Sequence, residues 1–109
     1  MKILSSMLVA AGLMSASFAN AAVDADAAQA LMKKSDCFKC HAIEKKKDGP
    51  PYKEVAKKYK GKADAEDKLT KHITTSPMVE IDGKKEEHKS IKTKDAAEIK
   101  NLVQWMLAL

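Results

Sequence analysis

Residues 37–41, Cys-Phe-Lys-Cys-His, decide how the rest of the chain is read. Two thiols separated by two residues and followed at once by a histidine form the attachment signature of a c-type haem. The spacing has a mechanical reason. In one turn of chain, Cys37 and Cys40 reach the two vinyl groups on neighbouring edges of a porphyrin and form thioethers, while His41 projects its imidazole toward the iron as the proximal ligand. Three other readings of paired cysteines compete: an exported disulfide, a thioredoxin-like redox couple and half of a zinc site. A zinc site wants a second close pair of ligands, and the chain has only these two cysteines. A thioredoxin-like pair expects a strand before it and a βαβ setting, and neither pattern is present. A plain disulfide needs no histidine after it.

Upstream of the motif, the chain opens with one lysine, Lys2, an apolar run from Ile3 through Phe18 and then Ala19-Asn20-Ala21. This is the pattern of a secretory signal peptide, with cleavage expected after Ala21. The apolar run is shorter than the roughly 20 residues a membrane span requires. Residues 22–109 then form one small exported domain with 19 lysines, no arginine, 15 acids and a net charge of +4. A domain this size buries little surface and usually needs a staple. Its aromatic residues are only Phe38, Tyr52, Tyr59 and Trp105. Protein side chains alone make a thin core, so a cofactor is expected to fill the middle.

Working outward, Asp24 and Asp26 can cap a helix through Ala28, Leu31 and Met32 that runs into the motif, since its apolar positions recur at i, i+3 and i+4. Gly49, Pro50 and Pro51 mark a loop. A second helix, Tyr52 to Lys60, carries Tyr52, Val55, Ala56 and Tyr59 on one face and ends at Gly61. A third begins near Ala63, presents Ala65, Leu69 and Ile73, and ends before Ser76-Pro77. From Pro77 to Lys92 there is no helical period, heavy charge and an Asp82-Gly83 turn signal, which reads as a long loop. Such loops are uncommon in compact domains and often functional. Asp95 and Glu98 make a capping-box pair, and Ile99, Leu102, Val103 and Met106 form a continuous stripe on a last helix. The expected class is all-α, about four short helices around one covalently attached haem.

The helix into Cys37–His41, the loop and helix DGPPYKEVAKKYKG, the middle helix DKLTKHI and the terminal DAAEIKNLVQWML together resemble the small bacterial class I cytochromes c of the c-551/c-552 type. The first and last of these stretches are specific, and the resemblance covers essentially all of residues 22–109. It implies that Pro50 offers its backbone carbonyl to the far nitrogen of His41, a contact of the kind that tunes a metal through its ligand. It also implies that Trp105 is a core aromatic on the terminal helix. Met32 and Met106 fall on apolar stripes and are core residues.

In that family a methionine usually faces the proximal histidine, from a Pro-Met segment before the last helix. Ser76-Pro77-Met78 invites that assignment, but the spacing argues against it. Met78 lies 27 residues before Trp105, whereas His88 lies 17 before it, and the family ligand lies about 16 or 17 before the aromatic. From His41 the separations are 37 residues to Met78 and 47 to His88, against about 45 between the ligands in small family members. His88 is therefore the preferred distal ligand and Met78 the alternative, ahead of an open site. Two imidazoles hold ferric iron better than a His/Met pair and lower the potential. His72 falls on the third helix as a surface or core residue.

No nucleophile–base pair, second metal cluster or phosphate loop accompanies the motif, so a non-enzymatic periplasmic electron carrier is expected. The alternatives are a gas or small-ligand binding haem protein with a displaceable distal ligand, and the haem subunit of a periplasmic oxidoreductase. Expected partners are redox proteins with acidic docking surfaces, steered by Lys39, Lys45, Lys46, Lys47, Lys53, Lys57 and Lys58. No nucleic acid partner and no membrane span after leader removal are expected, and the chain reads as a monomer.

Overall fold

The structure, a computed structural model of the chain, describes residues 22–109. The leader expectation for residues 1–21 lies outside them. Four helices and a small antiparallel hairpin follow in the order α1 (Ala25–Lys34), α2 (Tyr52–Tyr59), α3 (Ala65–Thr74), β1 (Met78–Ile81), β2 (Lys84–Glu87) and α4 (Ala96–Leu107). A single 3-10 turn, Cys37–Lys39, follows α1 directly. Among the described residues, no helix is long and apolar enough to cross a membrane.

The terminal helices form the frame. Asp24 caps α1 by accepting from the Ala27 amide, and Lys33 and Lys34 in the last turn complement the helix dipole. Asp95 caps α4 by accepting from the Ala97 and Glu98 amides. The Glu98 carboxylate does not return to the Asp95 amide as a capping box would require. It accepts from the Thr93 hydroxyl at 2.5 Å, and that hydroxyl oxygen accepts from the Asp95 amide at 3.1 Å. The reciprocal arm is thus relayed through Thr93. The stripe Ala28, Leu31 and Met32 of α1 packs against Leu102, Val103, Trp105 and Met106 of α4. Met32, Leu102 and Val103 are essentially inaccessible to solvent. Burial of each such side chain is worth about 1.5–3 kcal/mol.

α2 and α3 lean on α4 through Tyr52, Leu69 and Ile73. α2 stops one residue earlier than expected, at Tyr59, and Gly61 takes the left-handed conformation just beyond it, with φ 76°. α3 begins at Ala65 rather than Ala63.

The largest departure from the sequence reading lies between α3 and α4. Residues 78–87, read as part of a long loop without strand character, form a hairpin in which Met78 pairs with Glu87, Val79 with Glu86, Glu80 with Lys85 and Ile81 with Lys84. Its tip is Asp82-Gly83, with φ 51° and 79°. Two positive φ values in a two-residue turn match the right-handed twist of paired strands. Apolar alternation is nearly absent because β2, Lys-Lys-Glu-Glu, is fully exposed. The hairpin is held by its ladder and turn chemistry instead.

Candidate functional site

The chain turns sharply at the motif. Ser35 caps α1 with its amide on Leu31, and Asp36 adopts a left-handed φ of 61° that breaks the helix direction. The Cys40 and His41 amides then both return to the Cys37 carbonyl, at 3.3 and 3.0 Å. One compact turn therefore carries both thiols and the imidazole. Cys37 and Cys40 are not bonded to each other and are only half-buried, which leaves both sulfurs accessible for thioether formation. Burial pushes the Cys37 thiol up from its ordinary value, against a weaker opposing hydrogen bond from Tyr52. The Tyr52 phenol is likewise pushed up by burial and by its neighbour Cys37.

His41 is fixed from three sides. Its Nδ1 lies 2.8 Å from the Pro50 carbonyl oxygen. A carbonyl only accepts, so Nδ1 carries the proton and Nε2 keeps its lone pair for a metal. Tyr52 stacks on the ring with centroids 4.8 Å apart and planes 27° apart. Gly49 closes the third side, where a Cβ would fall 2.7 Å from Nδ1 and 2.9 Å from Nε2. The loop that supplies these contacts is tied back by Gly49 N to Cys40 O at 2.7 Å and Tyr52 N to Ala42 O at 2.9 Å.

Across from His41 stands His88, half-buried, with ring centroids 6.2 Å apart and planes 54° apart. Two imidazoles that share one metal ion in opposed positions need about 6.3 Å, from two bonds of about 2.0–2.1 Å and the reach from each nitrogen to its ring centre. The Nδ1 of His88 is buried without a hydrogen-bond partner. Partial loss of water around their rings holds both His88 and His72 below the ordinary histidine pKa, helped by the charge of neighbouring imidazoles and, for His72, of Lys58. Neutral imidazole is the ligating form. Among the described residues no three His, Cys, Asp or Glu groups converge as a metal cluster. The donors present suit an ion whose remaining ligands come from a macrocycle, not a four-ligand zinc site.

Met78 is placed differently. Side chains alternate along a strand, and Met78 pairs with Glu87, so these two share one face while His88, the next residue, takes the other. Met78 is 61% exposed. His72 is an exposed residue of α3, but its ring lies 4.4 Å from that of His88, a contact the sequence reading did not contain. That reading also missed the Tyr52 stack and the buried Ser35. Only the position of Tyr52 directly after the Gly-Pro-Pro loop could have signalled the stack.

The family model described as Cytochrome c matches residues 25–109. Cytochrome c-551 of Allochromatium vinosum is 37% identical over 82 residues, covering 72% of this chain and 82% of that relative. Cytochrome c-552 of Hydrogenobacter thermophilus is 32% identical over 103 residues, 94% of each chain. Among solved structures, the class 1 cytochrome MtoD from Sideroxydans lithotrophicus ES-1 superposes with a TM-score of 0.76 at 54% identity, over 80% of this chain and 97% of that one. Wild-type cytochrome c552 of Nitrosomonas europaea gives a TM-score of 0.59 at 30% identity, over 74% and 98%.

Proposed function

The chain belongs to the cytochrome c family, an electron-transfer haem protein with covalently attached haem c, and on that premise we propose that it is a periplasmic electron carrier with His41 and His88 as the two axial ligands. The observation that carries the ligand assignment is the 6.2 Å separation of these two rings beside Cys37 and Cys40. Cys37 and Cys40 would hold the group covalently, and Pro50 would orient His41 from behind. When bound, the haem supplies a one-electron couple, and nothing among the described residues resembles a catalytic pair that would add bond chemistry to it.

What this chain's residues do is set the couple and its access. The Pro50 carbonyl draws on the Nδ1 proton and strengthens His41 as a donor. A second imidazole in place of a thioether favours the ferric state, so the potential lies below that of a His/Met counterpart. The buried Tyr52 excludes water from one side of the proximal ring.

Partners of acidic surface fit the lysine distribution. Lys39, Lys47 and Lys53 are engaged by Asp36, the Phe38 carbonyl and Glu44. Lys45, Lys46 and Lys57 are exposed and without an ion pair among the described residues, which leaves them available for a transient encounter, while Lys58, also exposed, lies 5.5 Å from the Tyr59 ring centroid. The export reading rests on the leader pattern of residues 1–21.

The ligand assignment is tested by optical and EPR spectra of the ferric holoprotein. Low spin without the weak red band of a methionine–iron bond is expected, and His88→Ala should turn the protein high-spin while Met78→Ala should not. A methionine band, or a low-spin His88→Ala protein, overturns the assignment.

A further inference from the structure

We propose that Ser35 is a positioning residue for the distal imidazole, holding the segment that carries His88 against the side of the fold that carries His41; this rests on the reading of His88 as the second iron ligand. Ser35 is 2% exposed, and its hydroxyl oxygen accepts from the Lys92 amide at 2.9 Å, across 57 residues of chain. Its own amide donates to Leu31 at 3.0 Å, so the hydroxyl is mounted on the end of a capped helix. Asp36 beside it faces Lys89 and Lys92 at 3.6 and 3.8 Å, and Lys39 at 3.7 Å.

The remaining hydrogen bonds of segment 88–92 point the other way. The His88 amide donates to Pro77, the Ile91 amide donates to Ile73, and Ser90 pairs with Ser76. All three partners lie at the end of α3 or just beyond it. His88 therefore rides on the α3 side of the molecule, while His41 belongs to the motif side. Among the described residues, Ser35 and Asp36 supply the hydrogen bonds and ion pairs that join this segment to the motif side. A cavity of about 420 Å³ opens along the same seam, with Ser35 and Asp36 on one wall and His88, Lys89 and Ser90 on another. Exposed ion pairs such as those of Asp36 are worth little. The Ser35 hydroxyl is the stronger tie, because Ser35 is buried and its bond to the Lys92 amide is partly shielded from water.

The test is the rate at which ferric holoprotein binds saturating cyanide, which is limited by departure of the distal imidazole. Ser35→Ala should raise that rate about three- to tenfold, the consequence of losing one part-buried hydrogen bond. Ser35→Thr keeps the hydroxyl and should restore a slow rate. Asn101→Ala serves as the structural control: it removes the reciprocal bonds between Asn101 and the Asp24 backbone at the α1–α4 contact, so it should lower the melting temperature and leave the rate unchanged. A Ser35→Ala rate within twofold of wild type, or an equal acceleration in Asn101→Ala, overturns the proposal. If Ser35→Ala does not hold haem, amide exchange of the wild-type holoprotein decides: a protected Lys92 amide supports the tie, and one exchanging like an exposed loop overturns it. His88→Ala separates the two levels. High spin there with an unchanged Ser35→Ala rate refutes only the positioning role, whereas low spin refutes both.

Discussion

Replacing Gly49 with alanine should damage both stability and the proximal ligand, although this glycine has no need of an unusual backbone. A Cβ there would meet the Nδ1 and Nε2 of His41 at 2.7 and 2.9 Å, and its Cε1 more closely still. None of these atoms is the end of a flexible side chain. The ring is held by Pro50 on one edge and by Tyr52 on one face. The loop must therefore move, and the Gly49–Cys40 bond at 2.7 Å moves with it. Overpacking costs about 1–3 kcal/mol and a lost hydrogen bond about 1 kcal/mol. The sum, about 2–4 kcal/mol, corresponds to a fall in melting temperature of roughly 10–30 °C for a domain of this size. Gly61→Ala is the contrast, since nothing lies within 4 Å of its Cβ and only the left-handed φ of 76° opposes it, at about 1 kcal/mol. Calorimetry and redox titration of both variants would check the argument. Gly49→Ala should also raise the potential, because a displaced Pro50 carbonyl weakens His41 as a donor. A Gly49→Ala protein that melts within a few degrees of wild type with an unchanged potential would refute the packing of His41 against this loop.

Truncating Met32, which has no solvent exposure at the α1–α4 contact, should cost about 2–5 kcal/mol in urea unfolding. Asp95→Ala removes a cap that accepts from two amides and should cost about 0.5–2 kcal/mol, read in the same assay. In a pH titration of the optical spectrum, the low-spin form should persist down to pH 6.5 and be lost only below it. The sign follows from His88, whose folded pKa lies below the ordinary histidine value of 6.5, first through burial and then through the charge of His72 and His41. Stability from the neutral imidazole is thus fully present above the unfolded value, and it is lost as the pH falls from there through the folded one. Loss of the low-spin form above pH 7 would contradict this.

The helices were legible because their apolar residues recur with helical period and must be buried together. Leu31 and Met32 meet Leu102, Val103 and Met106 for that reason. The motif was legible because covalent attachment demands a fixed spacing. The hairpin was not, since β2 is entirely charged and exposed, and only Asp82-Gly83 betrayed it. Ser35 stands between Lys34 and Asp36 and reads as a polar junction, and its burial is created by a segment 57 residues away. His72 was placed on its helix, but a contact with His88 across the α3–α4 connection leaves no trace in local pattern.

The proposed His88 ligation makes Ser76-Pro77-Met78 a misleading motif, and the hairpin that carries Met78 can be removed as a test. β1 and β2 pack chiefly on each other, and the hairpin's base is already closed by the His88 amide donating to the Pro77 carbonyl at 2.8 Å. Replacing residues 78–87 by Asn-Gly would convert that bond into the closing bond of a two-residue turn. Pro77 and His88 would keep their positions, while Met78 would be gone. Exposed strands contribute little buried area, so the melting temperature should change by less than about 5 °C. The ferric protein should remain low-spin. A high-spin product with intact helical content would overturn the assignment of His88 where Met78→Ala is high-spin as well, and with a low-spin Met78→Ala it would mean that the ladder itself holds His88 in place.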